Sequence, residues 1–497
     1  MSKAASKDTE AKRNNVTRKA QTRSINTLPY EILFEIFIDY VYRPSDTRVM
    51  DVMVHRTMYI YQRVHTLLAV CTTWRRTAIA CTDLWTVVPF IDGDNGLRYP
   101  LAALLSLERA GREGLHLVIP TWDFSPQQFR VLDNHWHRFR VINIWTRSED
   151  APEIYHTLSA IIKHCPPGSI SKLSLRREKS IQDIFTLYTL TQYEPSISTL
   201  ISSLEVFRIG NFSIDWSRIS FSDKLVELRL ADTDLRNSGE ILSFMAALSS
   251  ARELRELKLV SVAFWFEEKT QPLNPPISLP KLEHLHLEQM YLNGLDFFLS
   301  SIAPGSYQLA LNPLEGIFSN YSVAYEEPVD EDRVCEFFKR HKVHKLILWG
   351  QRRFFWTTKA GLVRLLQATP SVKTLVMNYY PFNPDTISAL KRPPRTTNPK
   401  NKLDFPILTR LHIHGAYVEL PLAQLKSSLD DAIDSHRIER MEFGGQFVLD
   451  QRVPITVPLD ESDEVFDWLR RKVPHFTKSC EPSRASEATD MWRLWDM

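Results

Sequence analysis

The sequence predicts an α/β protein in which a short helical segment precedes an irregular solenoid of strand-ending repeats. Two observations lead to this prediction: residues 25–90 show helical periodicity, and one spacing, apolar–x–x–apolar–x–apolar, recurs through most of the 497 residues. The spacing appears as ISKLSL, LEVFRI, LVELRL, LRELKL, LEHLHL, VHKLIL, VKTLVM, LTRLHI and IERMEF, beginning at Ile170, Leu204, Leu225, Leu254, Leu282, Val343, Val372, Leu408 and Ile438. The last two apolar positions alternate with other residues, so each unit predicts a half-buried strand. Stacking such strands buries an apolar face that one strand alone leaves exposed.

The repeat is uneven in length. The intervals from Leu225 to Leu254 and from Leu254 to Leu282 are 29 and 28 residues, close to the roughly 20–29 residues of a leucine-rich repeat, whereas the interval from Val372 to Leu408 is 36 residues and that from Leu282 to Val343 is 61, with room for one more unit. Further strands are predicted in GLHLVI, FRVINIW and YQLALNPL, around Leu115, Ile142 and Leu309. Residues 91–456 therefore resemble a leucine-rich-repeat-like solenoid, and the alternative is a set of unrelated βα units.

Composition and charge narrow the function classes. Hydrophobic residues make up 43% and charged residues 24% of the chain, as in folded globular proteins. The formal net charge of +2 argues against nucleic acid or an anionic membrane as the main partner. The five cysteines form neither a CxxC motif nor a Cys/His cluster, which favours a reducing compartment, the cytoplasm or the nucleus.

The helical segment contains two predicted amphipathic runs. TLPYEILFEIFIDYV predicts a first helix, and VHTLLAVCTTWRRTAIA predicts a second that places Val64, Leu67, Leu68, Cys71 and Trp74 on one face. Between them, residues 43–62 form an insert whose apolar content favours an added helix. Helices this short bury little surface, so apolar residues left exposed on them suggest docking to another chain.

The order of three short motifs in this segment resembles the F-box. LPYEIL at 28–33, VCTTWR at 70–75 and LW at 84–85 correspond to LPxEIL, VCxxWR and LW, and the following LLSLERAGREGLHLVI is similar to the linker of the large fungal F-box-like group. The insert lengthens the F-box pattern. The alternative for this segment is a helical cap over the open end of the repeats.

The resemblance implies a substrate-recognition subunit of an SCF-type (Skp–cullin–F-box) E3 ubiquitin ligase. The F-box would bind the adaptor subunit, and through it a cullin, while the repeats would bind an unknown target protein. The residues expected to contact the adaptor are Leu28, Pro29, Ile32, Leu33, Ile36, Leu68, Val70, Cys71 and Trp74. The alternative is a non-catalytic interaction scaffold outside a ubiquitin ligase.

No catalytic motif is present in the sequence: GxSxG, GxGxxG, HExxH and the P-loop are all absent. Three His-x-His pairs occur, at His135/His137, His284/His286 and His412/His414, but two ligands rarely hold a metal and no third acid or thiol has a local spacing. We therefore predict no enzyme activity, no metal and no cofactor. In the enzyme alternative, a pocket would gather these pairs with a carboxylate around a metal ion.

The residue between the two closing leucines of each unit faces away from the core. In successive units this position holds Arg208, Arg229, Lys258 and His286, about 5 Å apart across neighbouring strands. Such a column predicts a surface for an acidic or phosphorylated target, with Trp349 as an aromatic anchor at its far end. The alternatives are a solvated strand face, with Glu227 and Glu256 neutralising the column, or recognition by a loop around Pro394.

The domain organisation follows from these patterns. We expect a disordered basic tail at 1–24, the F-box-like helical domain at 25–90, the repeat region at 91–456, and a C-terminal helix and tail at 457–497. EVFDWLRRKVPHF predicts that last helix, and Trp492 and Trp495 in the tail would pack on it.

Overall fold

The computed structural model describes residues 28–43, 52–90, 100–112, 114–120, 130–146, 152–166, 168–177, 196–267, 270–322, 326–350, 354–393, 404–450, 455–460 and 462–479. The expectations for the basic tail, the loop around Pro394, and Trp492 and Trp495 lie outside these ranges. Among the described helices, none has the length and apolar character needed to cross a bilayer.

The described residues form a mixed α/β structure. Its helices are α1 Tyr30–Tyr42, α2 Val52–Val70, α3 Thr72–Ala80, α4 Pro100–Arg109, α5 Pro152–His164, α6 Ser196–Ile201, α7 Ser238–Ser250, α8 Leu292–Ser300, α9 Glu331–Arg340, α10 Lys359–Ala368, α11 Pro384–Leu390, α12 Leu422–Ser435 and α13 Glu464–Lys472. Short 3₁₀ turns occupy Thr82–Trp85, Trp136–Arg138, Trp216–Arg218, Glu315–Phe318 and Phe355–Thr357.

Most strands belong to one large sheet. The strands are β1 Val87–Pro89, β2 Leu115–Pro120, β3 Phe139–Thr146, β4 Lys172–Arg177, β5 Val206–Gly210, β6 Glu227–Leu235, β7 Glu256–Phe264, β8 His284–Glu288, β9 Gln308–Asn312, β10 Ser319–Tyr321, β11 Glu326–Pro328, β12 Val343–Trp349, β13 Thr374–Asn378, β14 Pro381–Phe382, β15 Arg410–Val418, β16 Arg440–Asp450, β17 Ile455–Pro458 and β18 His475–Lys478. Each predicted strand is therefore present.

The sheet grows in chain order. Its 16 strands run β1 to β9, then β12, β13, β15, β16 and β17, with β14 beside β15 and β18 beside β16. Neighbours pair in parallel except β16 and β17, which are antiparallel, while β10 and β11 form a separate hairpin. The sheet is open and includes β18, which follows the predicted C-terminal helix α13.

The two faces of the sheet differ in chemistry. The leucines that define the repeat spacing point into the main core and pack against helices; Leu228, Leu230, Leu257 and Leu259 are each fully buried. Each fully buried side chain of this size contributes roughly 1.5–3 kcal/mol. Alternate residues point to the opposite face, which carries the polar and charged side chains.

A left-handed residue recurs at one position after the strand core. Six residues have φ between 49° and 61°, each two positions after the last core residue of its strand: Asn211, Asp232, Ser261, Gln289, Tyr379 and Gly415. Several of these residues donate their N–H to the carbonyl of the next strand, as Asn211 does to Ala231 at 2.9 Å and Tyr379 to His414 at 2.8 Å. The backbone after the core positions of these strands thus changes direction in one repeated way, within the strand at Asp232, Ser261 and Gly415 and after it at the other three residues.

The second predicted helix is interrupted. Residues 64–80 do not form one helix, because α2 ends at Val70 and α3 begins at Thr72. Cys71 between them is extended, and its Sγ accepts the N–H of Trp74 at 3.4 Å, so it caps α3. The helix expected in the insert is present as the first half of α2.

Candidate protein-binding surfaces

Helix α1 carries two apolar stripes, and only one of them is covered. Leu33, Phe37 and Val41 recur every fourth residue and are buried, at 0–2% exposure. Ile32 and Ile36 recur at the same interval on another side, and they are 47% and 38% exposed. A helix that places large apolar side chains in water is typical of a docking surface.

The buried stripe fixes α1 onto the neighbouring helices. The rings of Phe37 and Trp74 lie 5.0 Å apart between centroids. The Tyr42 hydroxyl donates to the Asp83 carbonyl at 2.9 Å, and Trp85 Nε1 donates to the Ala78 carbonyl at 2.9 Å. The exposed stripe is thus presented by a packed support.

The helices are also attached to the first strands. The Tyr61 hydroxyl donates to the carbonyl of Val87 at 3.0 Å. The apolar cluster under α1, α2 and α3 extends to strand residues that point away from the main core, namely Val87, Val118, Trp145, Ala231 and Val260. The apolar cluster that includes the helical segment thus extends from β1 to β7 on the face of the sheet opposite the main core.

The nine residues predicted to contact the adaptor differ in their exposure to solvent. Five are exposed, namely Leu28, Pro29, Ile32, Ile36 and Val70. Leu68, Cys71 and Trp74 are half-buried. Leu33 is 2% exposed and belongs to the core beneath α1, so its place in an exposed surface was wrong. Sequence reasoning missed Tyr40, which is 40% exposed and extends the Ile32–Ile36 stripe by one turn.

The predicted basic column is formed in register. Arg208 pairs across the sheet with Arg229, Arg229 with Lys258, and Lys258 with His286. The next strands place Ala310 and then Lys345 in this row, because the register shifts between β9 and β12. Trp349 lies in another row, so the structure does not bring it into the column.

Acidic residues are interleaved with the column. The Glu227 carboxylate accepts hydrogen bonds from Arg208 Nε at 2.7 Å and Arg208 Nη2 at 3.0 Å, and it also contacts Arg229. Glu256 lies 2.8 Å from Lys258 Nζ and 3.5 Å from Arg229 Nη2. The column is therefore not a field of unopposed positive charge.

Burial and charge act in opposite directions on Glu227. Burial raises the pKa of its carboxyl, but the hydrogen bond from Arg208 and the charges of Arg208, Arg229 and Lys258 outweigh this effect, and the pKa lies below its ordinary value. The side chains of Arg208 and Arg229 are only 5% and 8% exposed. Arg208, Glu227 and Arg229 consequently form a buried ion-pair network and not a solvated strand face, so these two arginines are not exposed to a target as the predicted column requires.

Trp349 lies at the end of β12. It is half-buried, and its ring stacks on Tyr379 with centroids 5.7 Å apart. Its in-register neighbour is Asn378, and the next strand places His414 in the same row. Trp349 thus lies in the same row as His414, with Asn378 of β13 between them.

The three histidine pairs have different surroundings. His135 precedes the 3₁₀ turn before β3 and His137 lies within it, and His135 Nδ1 is 2.9 Å from Arg138 Nη1. On β8, His284 is exposed, while His286 Nε2 lies 3.1 Å from Glu288 Oε2. On β15, the pair lies beside a carboxylate of the next strand.

Comparison with known proteins gives no match for this chain. No model of a protein family matches the chain, and no curated protein matches its sequence.

Proposed function

We propose that this chain is the substrate-recognition subunit of an SCF-type E3 ubiquitin ligase. In this proposal the helical segment is an F-box that binds the adaptor, and the repeats form a leucine-rich-repeat-like solenoid that binds a target protein. The observation that supports it best is the exposed stripe of Ile32, Ile36 and Tyr40, together with Leu28 and Val70.

The location of this stripe agrees with the sequence motifs. Leu28 and Ile32 belong to the LPxEIL motif, and Val70 begins the VCxxWR motif. Both motifs contribute exposed apolar side chains, while Leu33 and Trp85 within the motifs are buried and support them. A cap over the end of the sheet would bury its apolar residues against the sheet and would leave no reason for the outward stripe.

The regular pairing and backbone geometry of the strands support the solenoid part of the proposal. Strands pair in chain order, and the left-handed residue recurs at one position in six of them. Repeating units that contact their sequence neighbours give an extended surface suited to binding another protein.

Binding of the purified chain to the adaptor tests the first half of the proposal. We expect a stoichiometric complex that Ile32→Asp/Ile36→Asp or Leu28→Ala/Pro29→Ala weakens about tenfold or more, because these side chains would be desolvated at the interface. Leu242→Asp is the matched control, since Leu242 is an exposed apolar residue on α7, at 44% exposure. A chain that ignores the adaptor is instead the non-catalytic scaffold of the alternative.

The target-binding surface is proposed on the polar face of the sheet, where Lys258 and Trp349 are partly exposed, while Arg208, Arg229 and His286 are buried and would support it from beneath. Because Arg208 and Arg229 are buried with Glu227, reversing their charges would disturb folding. The test is therefore target capture by Lys258→Ala/Trp349→Ala, with Leu242→Ala on the helical side as control. Loss of capture in the double variant supports this surface, whereas loss only on deletion of the loop around Pro394 moves recognition to that loop.

A further inference from the structure

Three potential metal ligands meet where β15 and β16 pair. His412 lies directly opposite Glu442, and His414 follows two residues later on the same face of β15. His412 Nδ1 is 3.4 Å from Glu442 Oε1, and His414 Nε2 is 3.7 Å from Glu442 Oε2. One donor atom from each residue can be chosen so that all three lie within 4.8 Å of one another.

These distances suit one small ion between the three groups. Zinc bonds of about 2.0–2.2 Å in tetrahedral geometry separate the ligand atoms by roughly 3.3–3.6 Å. The two contacts to Glu442, one at each carboxylate oxygen, are close to that separation, and the three ligand atoms lie within 4.8 Å of one another, so the side chains would rotate towards one another to close around an ion.

A neighbouring side chain orients one of the three potential ligands. The Nδ1 atom of His414 lies 2.8 Å from Ser479 Oγ, which holds the ring with Nε2 towards Glu442.

Nearby polar atoms lack partners within the described part of the chain. His412 Nε2 is buried there without a hydrogen bond. Asn378, 3% exposed and in register with His414 on the adjacent strand, likewise has a buried Oδ1 with no hydrogen-bond partner. Buried polar groups normally find a partner, and an unpaired acceptor beside two imidazoles and a carboxylate points to a missing cation or its bound water.

We propose that His412, His414 and Glu442 bind a divalent transition-metal ion, with Zn²⁺ the best fit. Two imidazoles and one carboxylate suit Zn²⁺ better than Mg²⁺ or Ca²⁺, which prefer oxygen ligands. Three protein ligands leave one position for water or for a side chain of a bound protein.

This inference is independent of the ubiquitin-ligase proposal. The full chain, stripped with a chelator, would be titrated with Zn²⁺ by calorimetry and with Co²⁺ as a spectroscopic probe. We expect one ion per chain and the intense visible absorption of four-coordinate Co²⁺. His412→Asn and Glu442→Gln, which preserve side-chain shape, should each weaken binding by about tenfold or more.

The matched control is His284→Asn/His286→Asn, a pair with the same spacing on β8. It should leave the affinity and the Co²⁺ spectrum unchanged, and circular dichroism would verify that every variant is folded. Absence of one-to-one binding by the wild-type chain overturns the proposal. So does binding that survives His412→Asn/Glu442→Gln, or that is lost instead in the β8 control.

Discussion

Arg208 on β5 and Glu227 on β6 form a bidentate ion pair, with Nε–Oε1 and Nη2–Oε2 distances of 2.7 and 3.0 Å. Their side chains are 5% and 12% exposed, and Arg229 contacts the same carboxylate. Both buried guanidinium groups therefore share the Glu227 carboxylate, and Arg229 also lies 3.5 Å from Glu256.

Glu227→Gln should destabilise the fold by about 3–5 kcal/mol, because it leaves two buried cations without their shared counter-charge. The measurement is the denaturant dependence of unfolding followed by circular dichroism. Glu283→Gln is the matched control: Glu283 pairs with Arg255 at 3.5 Å with both side chains more than half exposed. It should change stability by less than about 1 kcal/mol. Equal effects of the two variants would contradict the role given to burial.

Leu33→Ala should cost about 2–5 kcal/mol, because it opens a cavity under α1. Its chain neighbour Ile32 is exposed, so Ile32→Ala should change the free energy of unfolding by no more than about 0.5 kcal/mol. Thermal or urea unfolding of the two variants measures the difference. A large cost for Ile32→Ala in the isolated chain would show that the outward stripe is already covered.

Ser261 tests the recurring left-handed turn, since its φ is 52°. Ser261→Gly should leave stability unchanged or raise it by up to about 1 kcal/mol, because glycine adopts this conformation without strain. Ser261→Val should lower stability by about 1–3 kcal/mol, because a β-branched residue is strained there. Ser261→Ala separates the loss of the hydroxyl group from the backbone effect. If the valine and alanine variants had the same free energy of unfolding, the backbone strain at this position would be refuted.

His116 on β2 should make stability depend on pH. Burial, assisted by the charge of Lys172, lowers its pKa from 6.5 to about 4 in the folded chain. Between these values the unfolded state binds the proton more readily, so stability is greatest above pH 6.5 and falls as the pH drops towards 4. The loss from this group is about 1–3 kcal/mol. Unfolding midpoints at pH 7 and pH 5 measure it, and His116→Gln should reduce the difference; an unchanged difference would assign it to other groups.

The strands were predictable because one apolar spacing specifies them. In Leu228-Arg229-Leu230 the two leucines must share the core face, so the residue between them must point to the other face. The alignment of Arg208 with Arg229 and Lys258 followed from applying that rule to consecutive units. The same rule failed at β12, because the register shift there places Lys345 in the row expected for Ile347.

The remaining features depended on pairing across the fold. Helix α1 has two apolar stripes of the same period, and the period alone could not reveal that Leu33 lies in the core and Ile32 in water. The break at Cys71 arises from a side-chain cap within an otherwise continuous helical pattern. The approach of Glu442 to His412 and His414 needed the register of β15 and β16; their common position in consecutive units was the available signal.

A sheet assembled in chain order also bears on how the protein is synthesised. Each strand from β2 to β9 finds its partner in the segment made just before it, so pairing can advance as the chain leaves the ribosome without waiting for distant sequence. Later strands pass intervening segments: β12 pairs with β9 across the β10–β11 hairpin, β15 pairs with β13 across β14, and β18 reaches β16 across β17 and α13. The topology thus favours one order of folding during synthesis. The N-terminal helices and first strands can form early, and the β16–β18 edge forms last.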